Sequence, residues 1–183
     1  EKRRAKHSII KNILLWTFQI LVVILFAYVL VYFFGQSRTN IGQSMDVTLS
    51  GGDTVLMDTL IYQVGSPKRG DVIAFKPNGS GTGHSSIKRV IGLPGETVRI
   101  DQNGNIYING KLLKENYGKE TMLNNGRAGS DVYLGSDEYF VLGDNRNNSI
   151  DSRWSDVGNV SREDIVGKVV LRIYPFKSFG LIK

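Results

Sequence analysis

The chain has 183 residues, no cysteine, two histidines and a formal net charge of +6. The missing cysteines exclude disulfides and Cys-ligated metals, and His7 and His84 do not easily build a metal site, so a hydrolytic mechanism must look beyond Ser-His-Asp triads and zinc. Five of the 23 basic residues but one of the 17 acidic residues precede residue 12, so most of the excess charge lies at one end. This distribution argues against a nucleic-acid-binding surface.

Residues 13–34 form an apolar run whose one strongly polar member is Gln19. At 1.5 Å per residue, a helix of this length spans roughly 33 Å, enough for a hydrocarbon core of about 30 Å. Basic residues precede the run, which favours a cytoplasmic N-terminus. We therefore expect a cytoplasmic basic head at 1–12, a single span of the cell membrane at 13–34, and an extracytoplasmic domain at 35–183.

Two other interpretations of this run are weaker. A cleaved signal peptide usually has an apolar core of about 7 to 15 residues followed by small residues, whereas this run is longer and ends in Tyr-Phe-Phe. A buried helix that is apolar all round is rare in a domain this small. The sequence therefore predicts one uncleaved membrane span.

The rest of the chain is rich in β-branched residues and turn signals and contains no amphipathic helix, so we predict a mainly β domain. The predicted strands are residues 53–62, 71–76, 86–92, 96–101, 105–109, 138–142 and 166–174. Asn-Gly pairs at 103–104 and 109–110 predict tight hairpins. Surface loops are expected at 77–85 and 114–130, with a short helical turn at 161–164.

The first candidate for chemistry is the segment Gly42-Gln43-Ser44, directly after the membrane span. A glycine two residues before a serine permits a loop in which backbone N–H groups converge on a developing oxyanion. Such a segment alone is equally typical of an ordinary loop. Ser44 therefore needs a base before it can be considered a nucleophile.

Lys88 is the candidate base, within the predicted strand 86–92. A lysine amine has a pKa near 10.4 in water, so burial must lower that pKa by about 3 units to provide a neutral amine near pH 7. Strand alternation places Lys88 beside apolar neighbours whichever face is buried. Periodicity alone also allows Lys88 or Arg89 to face solvent.

The third candidate is the polar loop, residues 143–153, which follows the predicted strand 138–142. It is either a solvated hairpin tip or a hydrogen-bond network, and its residue types favour the network. Asp151 can pair with Arg153 or Arg146, and Ser149 could hold a neutral lysine amine by a hydrogen bond.

Together these segments resemble the bacterial type I signal peptidases, in their Gram-positive-like form. The sequence SMDVTL is similar to the family's serine box, KRGDVIAF with IKRVIGLPGE to its lysine box, and GDNRNNSIDSR to its last signature. The likeness runs from the membrane span to about Pro175 and so covers nearly the whole chain.

The resemblance implies a membrane-bound serine endopeptidase with an antiparallel β catalytic domain against the outer membrane surface. It implies no metal or cofactor, and as partners the membrane lipid and the signal peptides of exported precursors, cleaved after small residues as in Ala-x-Ala. Ser44 is then the nucleophile and Lys88 the general base, in an oxyanion region formed by Gly42 and Gln43. The supporting residues would be Ser149, Asp151, Arg153, Asp144 and Arg146.

One position departs from the family pattern. Val47 occupies the place of a proline, which would fix φ near −65°, so we expect a looser loop beside Ser44. This departure leaves open a specialised protein that processes or helps to assemble a few exported proteins, such as surface-fibre subunits, with weak or no catalysis. A self-cleaving repressor is improbable because the chain has a membrane span and no DNA-binding segment.

Overall fold

A computed structural model describes residues 2–34, 37–40, 42–77 and 85–182, and the side chains of residues 10–29 in the first helix. The chain divides into two compact units, Glu1–Gln36 and Ser37–Lys183. The first unit is the helix α1 (Lys2–Phe34), which begins well before the predicted span. Its segment Ile10–Val29 has a mean hydropathy of 2.2 and exposed side chains, so it is long and apolar enough to cross a membrane.

The second unit is built from short antiparallel strands, which confirms the mainly β prediction. The strands are β1 (Ser37–Thr39), β2 (Thr54–Asp58), β3 (Val72–Phe75), β4 (Ser86–Gly92), β5 (Thr97–Ile100), β6 (Ile106–Ile108), β7 (Lys111–Leu112), β8 (Val132–Tyr133), β9 (Glu138–Leu142), β10 (Val160–Ser161), β11 (Ile165–Tyr174) and β12 (Gly180–Leu181). A short helix, α2 (Ile61–Val64), and 3-10 turns at Gly126–Gly129, Arg162–Asp164 and Phe176–Ser178 complete the described elements.

The strands form two sheets. The larger sheet has the order β1-β2-β11-β3-β4-β9-β10, with β12 also paired to β11, and the smaller has the order β7-β6-β5-β8. Strand β4 lies inside the larger sheet, and its Lys88 pairs in register with Ile73 of β3. Lys88 is therefore held by hydrogen-bonded backbone on a central strand.

Three groups of buried apolar side chains support this arrangement. One packs the smaller sheet against β4 and β9 through Ile91, Phe140 and Leu142. A second lies around Phe75, Val90 and Val141. The third includes Met45, Leu49, Val55, Met57 and Val169, and so joins the segment after Ser44 to the larger sheet.

The predicted strand 53–62 is wrong beyond Asp58, where β2 ends. The Asp58 carboxylate accepts hydrogen bonds from the backbone N–H groups of Leu60 and Ile61, at 2.9 and 3.0 Å, and thereby starts α2. The apolar run at 60–62 is typical of a strand, but this local side-chain bond turns the chain.

The other predicted elements differ in detail. The hairpins at 103–104 and 109–110 are confirmed, with Gly104 and Gly110 at positive φ. The helical turn at 161–164 is present as a 3-10 turn without a side-chain cap. Strands β1, β8, β10 and β12 were not predicted, because two or three residues carry no readable alternation. Most of the predicted loop 77–85, including His84, lies outside the described residues.

The Ser44 loop, residues 42–50, joins β1 to β2 and is a tight turn, in contrast to the loose segment expected from Val47. The N–H groups of Thr48 and Leu49 donate to the Met45 carbonyl at 3.0 and 2.7 Å, while Met45 and Leu49 are fully buried. Val47 has a φ of +90° and is 69% exposed. Because β-branched residues rarely adopt positive φ, the turn holds Val47 in a strained conformation.

The strain at Val47 predicts that Val47→Gly stabilises the protein. Glycine adopts positive φ without steric penalty, and an exposed valine loses little buried surface, so we expect a gain of about 1 kcal/mol after the entropy lost by glycine is included. The measurement is the thermal unfolding temperature. Val64→Gly is the matched control. Val64 is the last residue of α2, is 97% exposed and has no positive φ for glycine to relieve, so this variant should not be stabilised. Val47→Pro should destabilise the protein, and a stable Val47→Pro variant would contradict the observed turn.

Candidate active site

Ser44 and Lys88 are brought together although 44 residues separate them in the chain. The Lys88 Nζ lies 2.9 Å from the Ser44 Oγ, at hydrogen-bond distance. The same amine donates to the Ile87 carbonyl at 3.1 Å. The Ser44 loop supplies the hydroxyl and β4 supplies the amine, so the contact joins a loop to the interior of the larger sheet.

Lys88 is buried, with 5% of its surface exposed, so the solvated alternative for this residue is wrong. Burial lowers the pKa of Lys88 from its ordinary value of 10.5 to about 8, and the negative charge of Asp151 opposes part of this change. Desolvation penalises the charged ammonium, because the Ser44 hydroxyl and the Ile87 carbonyl replace only part of the water that the amine loses. About one tenth of the amine is therefore neutral at pH 7, and about half at pH 8.

The polar loop contains a buried ion pair between Asp151 and Arg153. The Arg153 guanidinium donates from Nε to Asp151 Oδ1 at 2.8 Å and from Nη2 to Oδ2 at 2.9 Å. Oδ2 of the same carboxylate also accepts from the Gly143 N–H at 3.1 Å. Both side chains are buried, and the loop is therefore a hydrogen-bonded network and not a solvated hairpin tip.

The polar loop also holds the Ser44 loop. The Asn145 N–H donates to the Ser44 carbonyl at 3.1 Å, and the Asn145 side chain donates to the Gln43 carbonyl at 3.0 Å. The two loops approach each other most closely at Gly143. A Cβ added to this residue would overlap the Ser44 carbonyl oxygen and the Ser149 hydroxyl. A side chain at position 143 would thus force the two loops apart.

Ser149 also lies beside Gly143, but it does not make the expected hydrogen bond to Lys88. Its Oγ is buried and has no hydrogen-bond partner among the described residues, so no bond to Lys88 is present. Ser149 nevertheless lines, with Ser44 and Lys88, a cleft of about 500 Å³. The cleft also has apolar side chains, Ile150 and Trp154, and it is large enough for several residues of an extended peptide.

Two further ion pairs support the loop, and the predicted residues take different partners in them. Asp144 pairs with Arg89 of β4, at 2.7 Å between Oδ2 and Nη2, with both side chains fully buried. Arg146 pairs with Glu115 at 2.8 Å and so does not pair with Asp151, which had been the alternative to Arg153. Each arginine therefore connects the polar loop to a different part of the fold.

Residues that the sequence did not single out complete the site: Asn40, Thr48, Arg89 and Asn145. The buried Asn40 amide donates to the carbonyls of Leu49 and Ser50 at 3.3 and 3.0 Å and braces the end of the Ser44 loop. Thr48 donates to Asp144 Oδ2 at 2.5 Å. No cluster of three or more metal-ligating His, Asp or Glu residues occurs within the described ranges.

Comparison with known proteins gives consistent matches. The model of the family described as signal peptidase, peptidase S26, matches residues 13–174. A probable signal peptidase I-2 from Synechocystis is 37% identical over 82% of this chain and 68% of its own length. Signal peptidase I P from Bacillus subtilis subsp. natto is 33% identical over 96% of this chain and 95% of its own. Signal peptidase I U from Bacillus subtilis is 39% identical over 74% and 73% of the two chains.

A signal peptidase I structure from Enterococcus faecalis is 34% identical and has a TM-score of 0.46, covering 57% of this chain and 97% of that one. Family membership rests on the sequence matches, which extend over most of the chain and include each of the three site segments. The chain belongs to the signal peptidase, peptidase S26, family.

Proposed function

We propose that this protein is a membrane-bound serine endopeptidase that removes signal peptides from exported precursors, cleaving after small residues of the Ala-x-Ala type. Ser44 is the nucleophile and Lys88 the general base. The observation that carries the proposal is the 2.9 Å separation of Ser44 Oγ from the buried Lys88 amine.

The proposed reaction begins with the neutral Lys88 amine. Lys88 Nζ accepts the proton from Ser44 as Oγ attacks the carbonyl carbon of the scissile peptide bond. The resulting ammonium then donates this proton to the leaving amine, and an acyl-Ser44 ester remains. Water, deprotonated by the again neutral Lys88, hydrolyses the ester and restores the Ser44 hydroxyl.

The oxyanion would be stabilised by the backbone N–H of Ser44, which donates to no other group among the described residues. Gly42 has no side-chain donor to add, and its positive φ of 94° supports the turn that presents this N–H. The polar loop supports the site by fixing the Ser44 and Gln43 carbonyls through Asn145. The role expected for Ser149 in orienting the lysine stays a prediction.

Removal of either dyad residue should abolish cleavage. In detergent or lipid, Ser44→Ala and Lys88→Met should each reduce the cleavage of an Ala-x-Ala precursor by at least about 1,000-fold, because the nucleophile or its base is lost. Product is measured by gel shift or mass spectrometry. Equal product from the wild type and both variants would contradict the protease and favour a binding or assembly role.

The unfolding temperature of Lys88→Met shows whether the inactive variant is folded. The lowered pKa of Lys88 means that the charged amine destabilises the folded state below pH about 8, by about 3 kcal/mol, and that this penalty disappears above the ordinary pKa of 10.5. At pH 7 the inactive Lys88→Met variant should therefore unfold at a higher temperature than the wild type.

The dependence of cleavage on pH should follow the titration of Lys88. The general base must be neutral, and burial lowers the pKa of Lys88 to about 8. We expect kcat/KM on an Ala-x-Ala peptide to rise about tenfold per pH unit at acidic pH and to level off above pH about 8. Circular dichroism at each pH excludes unfolding as the cause. A flat profile between about pH 6 and about pH 9 would contradict Lys88 as the base.

The proposed topology places residues 1–12 in the cytoplasm and residues 35–183 outside the cell membrane. Because the chain has no cysteine, single Ser8→Cys and Ser130→Cys variants each carry one thiol. A membrane-impermeant maleimide should label Ser130→Cys in intact protoplasts and Ser8→Cys only after permeabilisation. The reverse pattern would overturn the orientation.

A further inference from the structure

The Arg89–Asp144 ion pair lies at the meeting point of three segments of the site. Arg89 follows Lys88 on β4, and its guanidinium donates to Asp144 from Nε at 2.8 Å and from Nη2 at 2.7 Å. Nη2 also donates to the Thr48 hydroxyl at 3.2 Å. A displacement of Arg89 would therefore move the polar loop, the Ser44 loop and the strand that carries Lys88.

An aromatic ring covers this ion pair. The Arg89 Cζ lies 3.9 Å from the centre of the Tyr117 ring, within the range of a cation–π contact. Tyr117 belongs to the connection between β7 and β8 in the smaller sheet, a segment to which the sequence assigned no role. Its hydroxyl lies close to Gly70, where an added Cβ would be 2.9 Å from the Tyr117 oxygen.

Residues 115–127 of this connection, which we call the strap, are fastened along the polar loop. Glu115 pairs with Arg146, and the Lys119 N–H donates to the Asp144 carbonyl at 3.0 Å. Further bonds join the strap to Asn147 and Arg153: Asn147 Nδ2 to the Thr121 carbonyl, the Leu123 N–H to Asn147 Oδ1, and Arg153 Nη1 to the Asn124 carbonyl, at 2.9, 2.9 and 2.8 Å. The position of Tyr117 is thus determined by the loop whose ion pair it covers.

We infer that Tyr117 is a positioning residue for the peptidase reaction, acting through Arg89 on the alignment of Ser44 and Lys88. The inference rests on the proposed function, because it gives Tyr117 a role in that reaction and adds no chemical step of its own. The ring keeps water from one face of the guanidinium, and the bonds from Arg89 to Asp144 are stronger in that dry environment. Without the ring, water reaches the pair and weakens the bonds that hold Arg89 to Asp144 and, through Nη1 at 2.7 Å, to the Gly70 carbonyl. Arg89 can then shift. Misalignment of the reacting atoms then lowers the rate.

The test compares Tyr117→Leu with Tyr117→Phe in the full-length protein. Leucine keeps apolar bulk but has no π face, so kcat on an Ala-x-Ala peptide should fall about 10- to 100-fold while KM changes little. Phenylalanine keeps the face and should restore kcat to within about twofold of the wild type. Tyr107→Leu is the matched control. The Arg99 Cζ lies 5.5 Å from the centre of the Tyr107 ring, and this pair lies outside the site. This substitution should lower the unfolding temperature without lowering kcat.

A second readout separates positioning from loss of stability. In Tyr117→Leu, the pH midpoint of kcat/KM should move above that of the wild type, because a looser site admits water to Lys88. Merely reduced stability would leave the midpoint unchanged at temperatures well below unfolding. Should Tyr117→Leu fail to fold, Glu115→Gln loosens the strap through Arg146 and should show the same upward shift with a smaller loss of kcat.

The outcomes distinguish this inference from the proposed function. If Ser44→Ala and Lys88→Met cleave as well as the wild type, the proposed function fails and the inference fails with it. If both are inactive but Tyr117→Leu, or Glu115→Gln in its place, retains the kcat and pH midpoint of the wild type, the positioning role alone is overturned.

Discussion

Arg89 and Asp144 face each other with both side chains fully buried, and three segments that carry the site meet at this ion pair. Removing two charges from water is expensive, so a buried pair adds little to stability when it is compared with an apolar pair of the same size. Breaking such a pair is costly, however, at about 3–5 kcal/mol. Its main physical effect is therefore geometric, since an arrangement that separates the two charges is strongly disfavoured.

The neighbouring residues Lys88 and Arg89 show how burial can have opposite electrostatic results on one strand. The Arg89 guanidinium contacts the Asp144 carboxylate, the Thr48 hydroxyl and the face of the Tyr117 ring. A guanidinium stays charged under all ordinary conditions. Lys88 has a hydroxyl and one backbone carbonyl, and its amine can lose a proton. Alternation on β4 separates the two environments, so one strand carries both a fixed positive charge and an adjustable base.

The sequence predicted the parts of this protein that depend on local patterns. The apolar run, the longer strands and the Asn-Gly hairpins could all be identified because their signals lie within a few residues of one another. The end of β2 was missed because one carboxylate, that of Asp58, redirects the backbone. The resemblance of three motifs to one family predicted that Ser44, Lys88 and the polar loop belong to one site. Nothing local marked Tyr117, whose partner Arg89 lies on β4. Asn40 was missed because its partners Leu49 and Ser50 lie beyond the reach of a local pattern, nine and ten residues further along the chain.

The place of Lys88 within the larger sheet also determines how this protein can diversify. A one-residue slip of β4 would turn Lys88 to the opposite face, and the same slip would exchange the core contacts of Ile87 and Val90, which are buried in different apolar groups. The backbone position of the amine is thus protected by the core. Ile150, in contrast, lines the cleft and is 65% exposed, so it can be exchanged at little expense to folding. Directed evolution can therefore vary the cleft wall widely while the base keeps its position.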